Sequence, residues 1–236
     1  MVEKVDYNNI YSNATPEYCD WVKQTCIWKA DILYDFTKNL SVSSVLEIGT
    51  GRGDVLHALK GFDQKTGADV SEEALKQHRA IYPKHQLVKI DADEKLPFID
   101  KQFDCVLLCD ILEHIEKPVE LLKEASRVGK YILVKIPLEN ALFVRVMNKI
   151  HGVKYGQNHS SGHLYCWDLK DILSLLKKSQ INIIDEKFLP IPIDLIKKKF
   201  AVKIIVFRLC LLLDRISKTN FFNRTLLGGS YFAIGQ

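Results

Sequence analysis

Three glycines and two carboxylates occur within the ten residues VLEIGTGRGD, 45–54, around the end of a short apolar run. Glycines at a strand-to-helix turn let a ligand approach the backbone closely, and parallel α/β sheets bind nucleotides at such turns. Asp54 stands where the dinucleotide fingerprint GxGxxG has its third glycine, and its carboxylate would compete with a pyrophosphate for backbone donors. The GxxxxGK[ST] pattern of a P-loop is absent as well. The pattern therefore argues against a ligand that is bound through its phosphates.

Glu47, Gly49, Gly51 and Gly53 form an E-x-G-x-G-x-G pattern, which resembles motif I of the class I S-adenosylmethionine-dependent methyltransferases. S-adenosylmethionine carries a sulfonium and an ammonium group, so carboxylates are favourable neighbours for it. The resemblance implies that Glu47, Gly49, Thr50 and Gly51 contact this cofactor, whose product is S-adenosylhomocysteine. A second role for Glu47, hydrogen bonding to the loop backbone, stays open.

The resemblance extends over about residues 40–190. Asp69 lies sixteen residues after Gly53, at the end of the next predicted strand, where the family has the acid that binds both ribose hydroxyls. Its neighbour Val70 is expected at the cofactor too. Within the superfamily the chain resembles the ubiquinone-biosynthesis-like group (type 11/23), while the SRVGKY segment at 126–131 is more similar to MetW proteins.

Two later segments continue the resemblance in the family's order. In KIDAD, 89–93, it implies that Asp91 and Ala92 hold the adenine. In the segment 103–115 it implies that Asp110 lines the methionine and methyl side of the cofactor. The polar, aromatic N-terminus adds Tyr11, since tyrosines near the N-terminus cover the cofactor in some relatives.

Two histidines are the candidate catalytic residues. His114 follows a buried strand near the expected methyl site, with a helix-cap or packing role as its alternative. His163 stands in GHLYC, which resembles small-molecule methyltransferases in which a histidine and an aromatic residue face the substrate pocket. In-line methyl transfer needs a general base only when the acceptor arrives protonated. His159 is a weaker candidate, and the remaining histidines are expected to be surface or helix residues: His57, His78, His85 and His151.

Strand and helix patterns alternate along the chain, which predicts one doubly wound α/β domain with a mostly parallel sheet and right-handed crossovers. The fold that the resemblance implies is Rossmann-like, with seven strands, helices on both faces and a helical cap. The predicted strands are Ser44–Ile48, Thr66–Val70, Gln86–Ile90, 103–110, 130–137, 181–189 and an antiparallel final strand at 229–235.

A single domain, 1–236, is expected to contain an N-terminal helical cap at 1–40, a cofactor-binding core at 41–190, a helical insertion at 191–225 and a final strand at 226–236. The apolar centre of the insertion is too short and too charged for a transmembrane helix. Intramolecular packing, a homodimer interface, contact with a membrane surface and a substrate lid are its alternatives.

Composition and net charge exclude several classes of function. The net charge of +4 is too small for a dedicated nucleic-acid binder, so no nucleic-acid partner is expected. The six cysteines form no CxxC pair and no calcium-loop pattern occurs, so no metal centre is predicted. A cytoplasmic protein, with peripheral membrane contact left open, is expected. The predicted function is methyl transfer to a small-molecule acceptor by direct in-line displacement. A regulatory protein that binds S-adenosylmethionine without turnover and acts through a partner is the alternative.

Overall fold

Seven strands hydrogen-bond into one sheet in the computed structural model, which describes residues 6–142, 162–190 and 228–236, and positions 145, 146, 149, 209, 212, 213, 215 and 216 between them. In chain order the strands are β1 (Ser44–Ile48), β2 (Gln64–Asp69), β3 (Gln86–Lys89), β4 (Phe103–Cys109), β5 (Gly129–Leu138), β6 (Ile183–Leu189) and β7 (Gly229–Gly235). Their order across the sheet is β3-β2-β1-β4-β5-β7-β6. β7 pairs antiparallel with both β5 and β6, and the other pairs are parallel. The expected fold class is confirmed.

Helices cover both faces of the sheet and begin where the sequence supplies starting residues. Proline opens two of them, and Ser71 caps another by accepting a hydrogen bond of 3.1 Å from the amide of Ala74. Asp168 forms a reciprocal capping box with Asp171. The helices are α1 (Tyr7–Ser12), α2 (Pro16–Thr37), α3 (Asp54–Ala58), α4 (Glu72–Ile81), α5 (Pro118–Val128) and α6 (Leu169–Lys178), with a 3-10 turn at Leu112–His114.

β4 lies at the centre of the sheet and is buried on both faces, as its continuous apolar sequence predicts. Val106 and Leu108 belong to a core shared with α5 and α6. Cys105 and Leu107 belong to a second core on the opposite face, shared with α2 and α3. The central strands are therefore packed on both faces, so the residues at their carboxyl ends have well-defined positions. Among the described residues, no helix is long and apolar enough to cross a membrane.

Several predicted boundaries differ from the structure by one or two residues. The second strand was expected at 66–70, but pairing with β1 begins at Gln64 and Val70 leaves the sheet with 42% of its surface exposed. Helix α3 ends at Ala58, because the backbone of Leu59 is extended. The 138–163 and 191–225 segments lie largely outside the described residues.

His78 lies in helix α4, as the expectation of a surface or helix residue allows, and its side chain is fully buried against the glycine turn. A Cβ added at Gly53 would lie 2.2 Å from the His78 ring, and Gly53 has a φ of +79°. His78 Nε2 shares a hydrogen bond of 2.8 Å with His85 Nδ1. Burial, reinforced by His85, lowers the pKa of His78 to about 4, so the ring is neutral at pH 7.

We expect Gly53→Ala to lower the free energy of unfolding of the ligand-free protein by about 2–4 kcal/mol, through backbone strain and overpacking against His78. Urea denaturation followed by circular dichroism measures this loss. Gly61→Ala is the matched control, because Gly61 also has a positive φ (+84°) but its added Cβ would meet Tyr34 at 3.3 Å. Equal losses in the two variants would contradict the packing role assigned to Gly53.

Candidate active site

A cavity of about 270 Å³ opens at the carboxyl ends of the central strands. It lies where the strand order reverses between β1 and β4, the position at which open α/β sheets bind their ligands. Asp69 and Val70 line it at the end of β2, Asp91 and Ala92 after β3, and Asp110 after β4. Carboxylates from three neighbouring strand ends therefore surround one space.

The glycine turn after β1 is held in place by the end of β2. Gly49, Gly51 and Gly53 all have positive φ angles, of 74°, 52° and 79°, a region that residues with a Cβ rarely adopt. Asp69 Oδ2 accepts a hydrogen bond of 2.8 Å from the amide of Gly51, and its Oδ1 accepts one of 2.9 Å from the amide of Ser71. Burial raises the pKa of Asp69, while these backbone donors oppose the rise. Asp69 thus joins the turn to the start of α4.

Glu47 supports the turn from beneath. Its side chain is 2% exposed and its Oε2 accepts a hydrogen bond of 2.8 Å from the Thr50 hydroxyl. Burial raises the pKa of Glu47 to about 8, and the Thr50 hydrogen bond partly offsets that shift. The structure places Glu47, Thr50 and Gly51 behind the cavity surface, and Gly49 is the glycine of this turn that lines the cavity.

Helix α1 lies over the glycine turn. Tyr11 lines the cavity, and its hydroxyl would be 2.5 Å from a Cβ added at Gly51. Asn8 Oδ1 accepts hydrogen bonds from the Ser71 hydroxyl at 2.9 Å and from the amide of Glu73 at 3.2 Å. These bonds attach α1 to the first turn of α4 across the mouth of the cavity, so Tyr11 is positioned as a cover.

Asp110 forms a half-buried ion triplet with two lysines that sequence reasoning missed. Its Oδ2 lies 2.8 Å from Lys29 Nζ of α2, and its Oδ1 pairs with Lys135 of β5. Burial alone would raise the pKa of Asp110, but Lys135 and Lys29 outweigh it and hold that pKa well below its usual range. For Lys135 the signal was present in the sequence, because this lysine interrupts the apolar, buried run of β5.

Beside Asp110, the structure brings both candidate histidines together with Glu113. The His114 and His163 ring centroids are 4.8 Å apart, and the carbonyl of Glu113 accepts a hydrogen bond of 2.8 Å from the amide of Leu164. His114 lines the cavity and His163 stands behind it, next to the lining residue Gly162. The candidate His159 lies outside the described residues.

The environment of these three side chains alters their acid-base properties. Burial, followed by the charge of Asp110, raises the pKa of Glu113 to about 8. Burial and the charge of His163 lower the pKa of His114 to about 4. Burial also acts to lower the pKa of His163, but the hydrogen bond and charge of Glu139 outweigh it and the net shift is upward. Glu113 and Glu139 were not expected from the sequence patterns.

Comparison with known proteins agrees with this geometry. Residues 46–131, which include the glycine turn, Asp69 and Asp110, match the family model of a methyltransferase domain. This segment is a class I methyltransferase domain. The expected family and fold are thereby confirmed, and S-adenosylmethionine is the cofactor that the family implies.

Two curated relatives resemble parts of this chain. A bifunctional methionine biosynthesis protein MetXA/MetW from Rhodopirellula baltica is 34% identical over 104 residues, 40% of this chain and 17% of the relative. A ubiquinone/menaquinone biosynthesis C-methyltransferase from Rickettsia peacockii is 28% identical over 162 residues, 56% of this chain and 64% of the relative. The chain spans less than two thirds of the length of either relative.

Solved structures share the fold across nearly the whole chain. The methyltransferase solved in complex with the Haloferax volcanii Trm112 methyltransferase activator superposes with a TM-score of 0.67, at 16% identity, over 99% of this chain and 98% of its own. Magnesium protoporphyrin IX methyltransferase from Synechocystis PCC 6803, solved with bound S-adenosylhomocysteine, gives a TM-score of 0.59 at 16% identity, over 97% and 91% of the two chains. At these identities the likeness extends to the fold.

The residues of the cavity fit S-adenosylmethionine. A Cβ at Gly49 would lie 2.4 Å from Ile111 Cδ1. The space between the glycine turn and the residues that follow β4 is therefore narrow, and a larger residue at position 49 would fill it. Asp69 and Asp91 can accept hydrogen bonds from a ribose and an adenine, and no basic side chain faces the cavity among the described lining residues other than histidine. A cationic ligand without phosphates suits this set of groups.

We expect Asp69→Asn to weaken the binding of S-adenosylhomocysteine by about 10- to 100-fold. The substitution removes the negative charge and replaces one carboxylate oxygen by an NH₂ group, which cannot accept a hydrogen bond from the ligand or from the backbone amides of Gly51 and Ser71. Isothermal titration calorimetry measures the dissociation constant. Asp63→Asn makes the same substitution at an exposed position that precedes β2 and serves as the control. An unchanged constant in Asp69→Asn would remove Asp69 from the binding site.

Proposed function

We propose that the protein transfers a methyl group from S-adenosylmethionine to a small-molecule acceptor by direct in-line displacement. The observation that carries the proposal is one cavity that runs from the carboxylates after β2 and β3 to His114 after β4. In the sheet, β1 separates β2 and β3 from β4. The cavity therefore has one side for the nucleoside, next to β2 and β3, and another side for the acceptor, next to β4. Bound S-adenosylmethionine supplies an electrophilic methyl group, so no covalent enzyme intermediate is needed.

In this proposal the side chains bind and align rather than attack. Asp69, Val70, Asp91 and Ala92 hold the nucleoside, and Glu47 with Thr50 keeps the glycine turn in shape. Alignment of two bound reactants is worth up to about 7–11 kcal/mol of a reaction barrier. His114 and His163 are the proposed catalytic residues, because they stand on the acceptor side next to Asp110.

The insertion at 191–225 supports a further contact, with a second copy of the chain or with a membrane surface. Most of it lies outside the described residues, but three of its described side chains, Leu209, Leu212 and Ile216, are 54%, 52% and 70% exposed. Their spacing of three and four residues is that of one helix face. Sedimentation of the protein alone and with anionic vesicles distinguishes the two contacts.

We expect transfer of a radiolabelled methyl group from S-adenosylmethionine to a component of a fractionated small-molecule extract, with a product heavier by one CH₂. Liquid chromatography with mass spectrometry measures it. At subsaturating cofactor, Asp69→Asn should lower the rate at least about tenfold, and Asp63→Asn should not change it. Label found in protein or RNA instead would contradict a small-molecule acceptor. Tight binding of S-adenosylhomocysteine without transfer to any fraction would favour the regulatory alternative.

A further inference from the structure

Glu113 presents a buried carboxylate oxygen to which the described part of the chain offers no hydrogen bond. The side chain is 2% exposed, and Glu113 Oε2 has no hydrogen-bond partner among the described residues. A buried carboxylate without a partner is costly, and such groups are normally paired or coordinate a metal. A positively charged ligand bound to Glu113 Oε2 would supply a partner for this oxygen.

The two neighbouring histidines have hydrogen-bond partners of the kind that metal-binding histidines have. His114 Nδ1 lies 3.2 Å from the carbonyl oxygen of Gly162, and His163 Nδ1 lies 2.7 Å from Glu139 Oε2. Both partners are acceptors, so each Nδ1 carries the proton and each Nε2 has the lone pair that can bind an ion. Metal-binding histidines commonly donate their second N–H to a carboxylate or a backbone carbonyl in this way.

One ligand atom from each of Glu113, His114 and His163 lies within 4.8 Å of the other two. Around a zinc-like ion, with bonds of about 2.0–2.2 Å, such atoms would stand about 3–3.5 Å apart, so small side-chain rotations close the site. A set of two histidines and one glutamate, with coordination positions left for water or substrate, is a known type of catalytic zinc site. His114 lines the cavity, so an ion held here can reach a ligand inside it.

We propose that Glu113, His114 and His163 bind a divalent cation of the zinc class, and that its remaining positions bind an oxygen atom of the acceptor. The second half rests on the proposed methyl transfer and narrows its substrates to compounds with an ionisable oxygen, such as a phenol or a carboxylic acid. The ion favours the deprotonated oxygen by its charge. Glu139 acts as a positioning residue that fixes the His163 ring.

Chelator-treated protein should bind one Zn²⁺ per chain in isothermal titration calorimetry. Glu113→Gln and His163→Ala each should weaken binding by more than about 100-fold, and Glu139→Gln by about 10- to 100-fold. Co²⁺ should give visible absorption bands in the wild type that both ligand variants lose. Mg²⁺ should not compete, because it prefers oxygen ligands. His57→Ala is the control, since His57 is exposed and belongs to a separate histidine cluster with His78 and His85.

The proposed site would be overturned if Glu113→Gln and His163→Ala still bound Zn²⁺. It would also be overturned if His57→Ala alone abolished Zn²⁺ binding. Binding of S-adenosylhomocysteine by each variant, measured separately, shows that the variant is folded. Zinc binding and methyl transfer are independent readouts, so a missing acceptor does not affect the metal result. Transfer at full rate in chelator-treated protein would overturn the acceptor role of the ion and leave the proposed methyl transfer intact.

Discussion

The pairing of one half-buried aspartate with two lysines is the interaction on which the site depends. Asp110 follows β4, Lys29 comes from α2 and Lys135 from β5, so three elements that are distant in sequence meet at one carboxylate. Lys135 is 6% exposed, so the loss of Asp110 would leave its buried ammonium group without this partner. Asp110 also has a φ of +53°, an unusual conformation for a residue with a Cβ. The chain turns sharply here, and Glu113 and His114 follow immediately.

Local patterns were sufficient to predict the sheet. Each of the seven predicted strands overlaps a strand of the structure, and the final strand was predicted at its observed bounds of 229–235. The resemblance to methyltransferases, which rests on short motifs at strand ends, also indicated the glycine turn, Asp69 and Asp110. Information of this kind is local, so it can be recovered without knowing how the elements pack.

The contacts that the sequence patterns did not predict join residues far apart in the chain. His114 and His163 are separated by 49 positions, and no short motif links Glu113 to either Glu139 or His163. A search for closely spaced cysteine and histidine ligands therefore predicted no metal centre. Likewise His78 resembles a surface residue on an amphipathic helix, and its burial follows from the glycine turn that packs against it.

The strand β7 lies between β5 and β6, although it follows β6 by about forty residues. In the described sheet, β6 hydrogen-bonds to β7 and not to any other strand. Tyr231 and Phe232 of β7 belong to the apolar cores on the two opposite faces of the sheet. During synthesis, β6 emerges from the ribosome with no neighbour to pair with, and it must wait until residues 229–235 follow. A ribosome that stalls before this strand would expose the edge of β5 to chaperones and proteases.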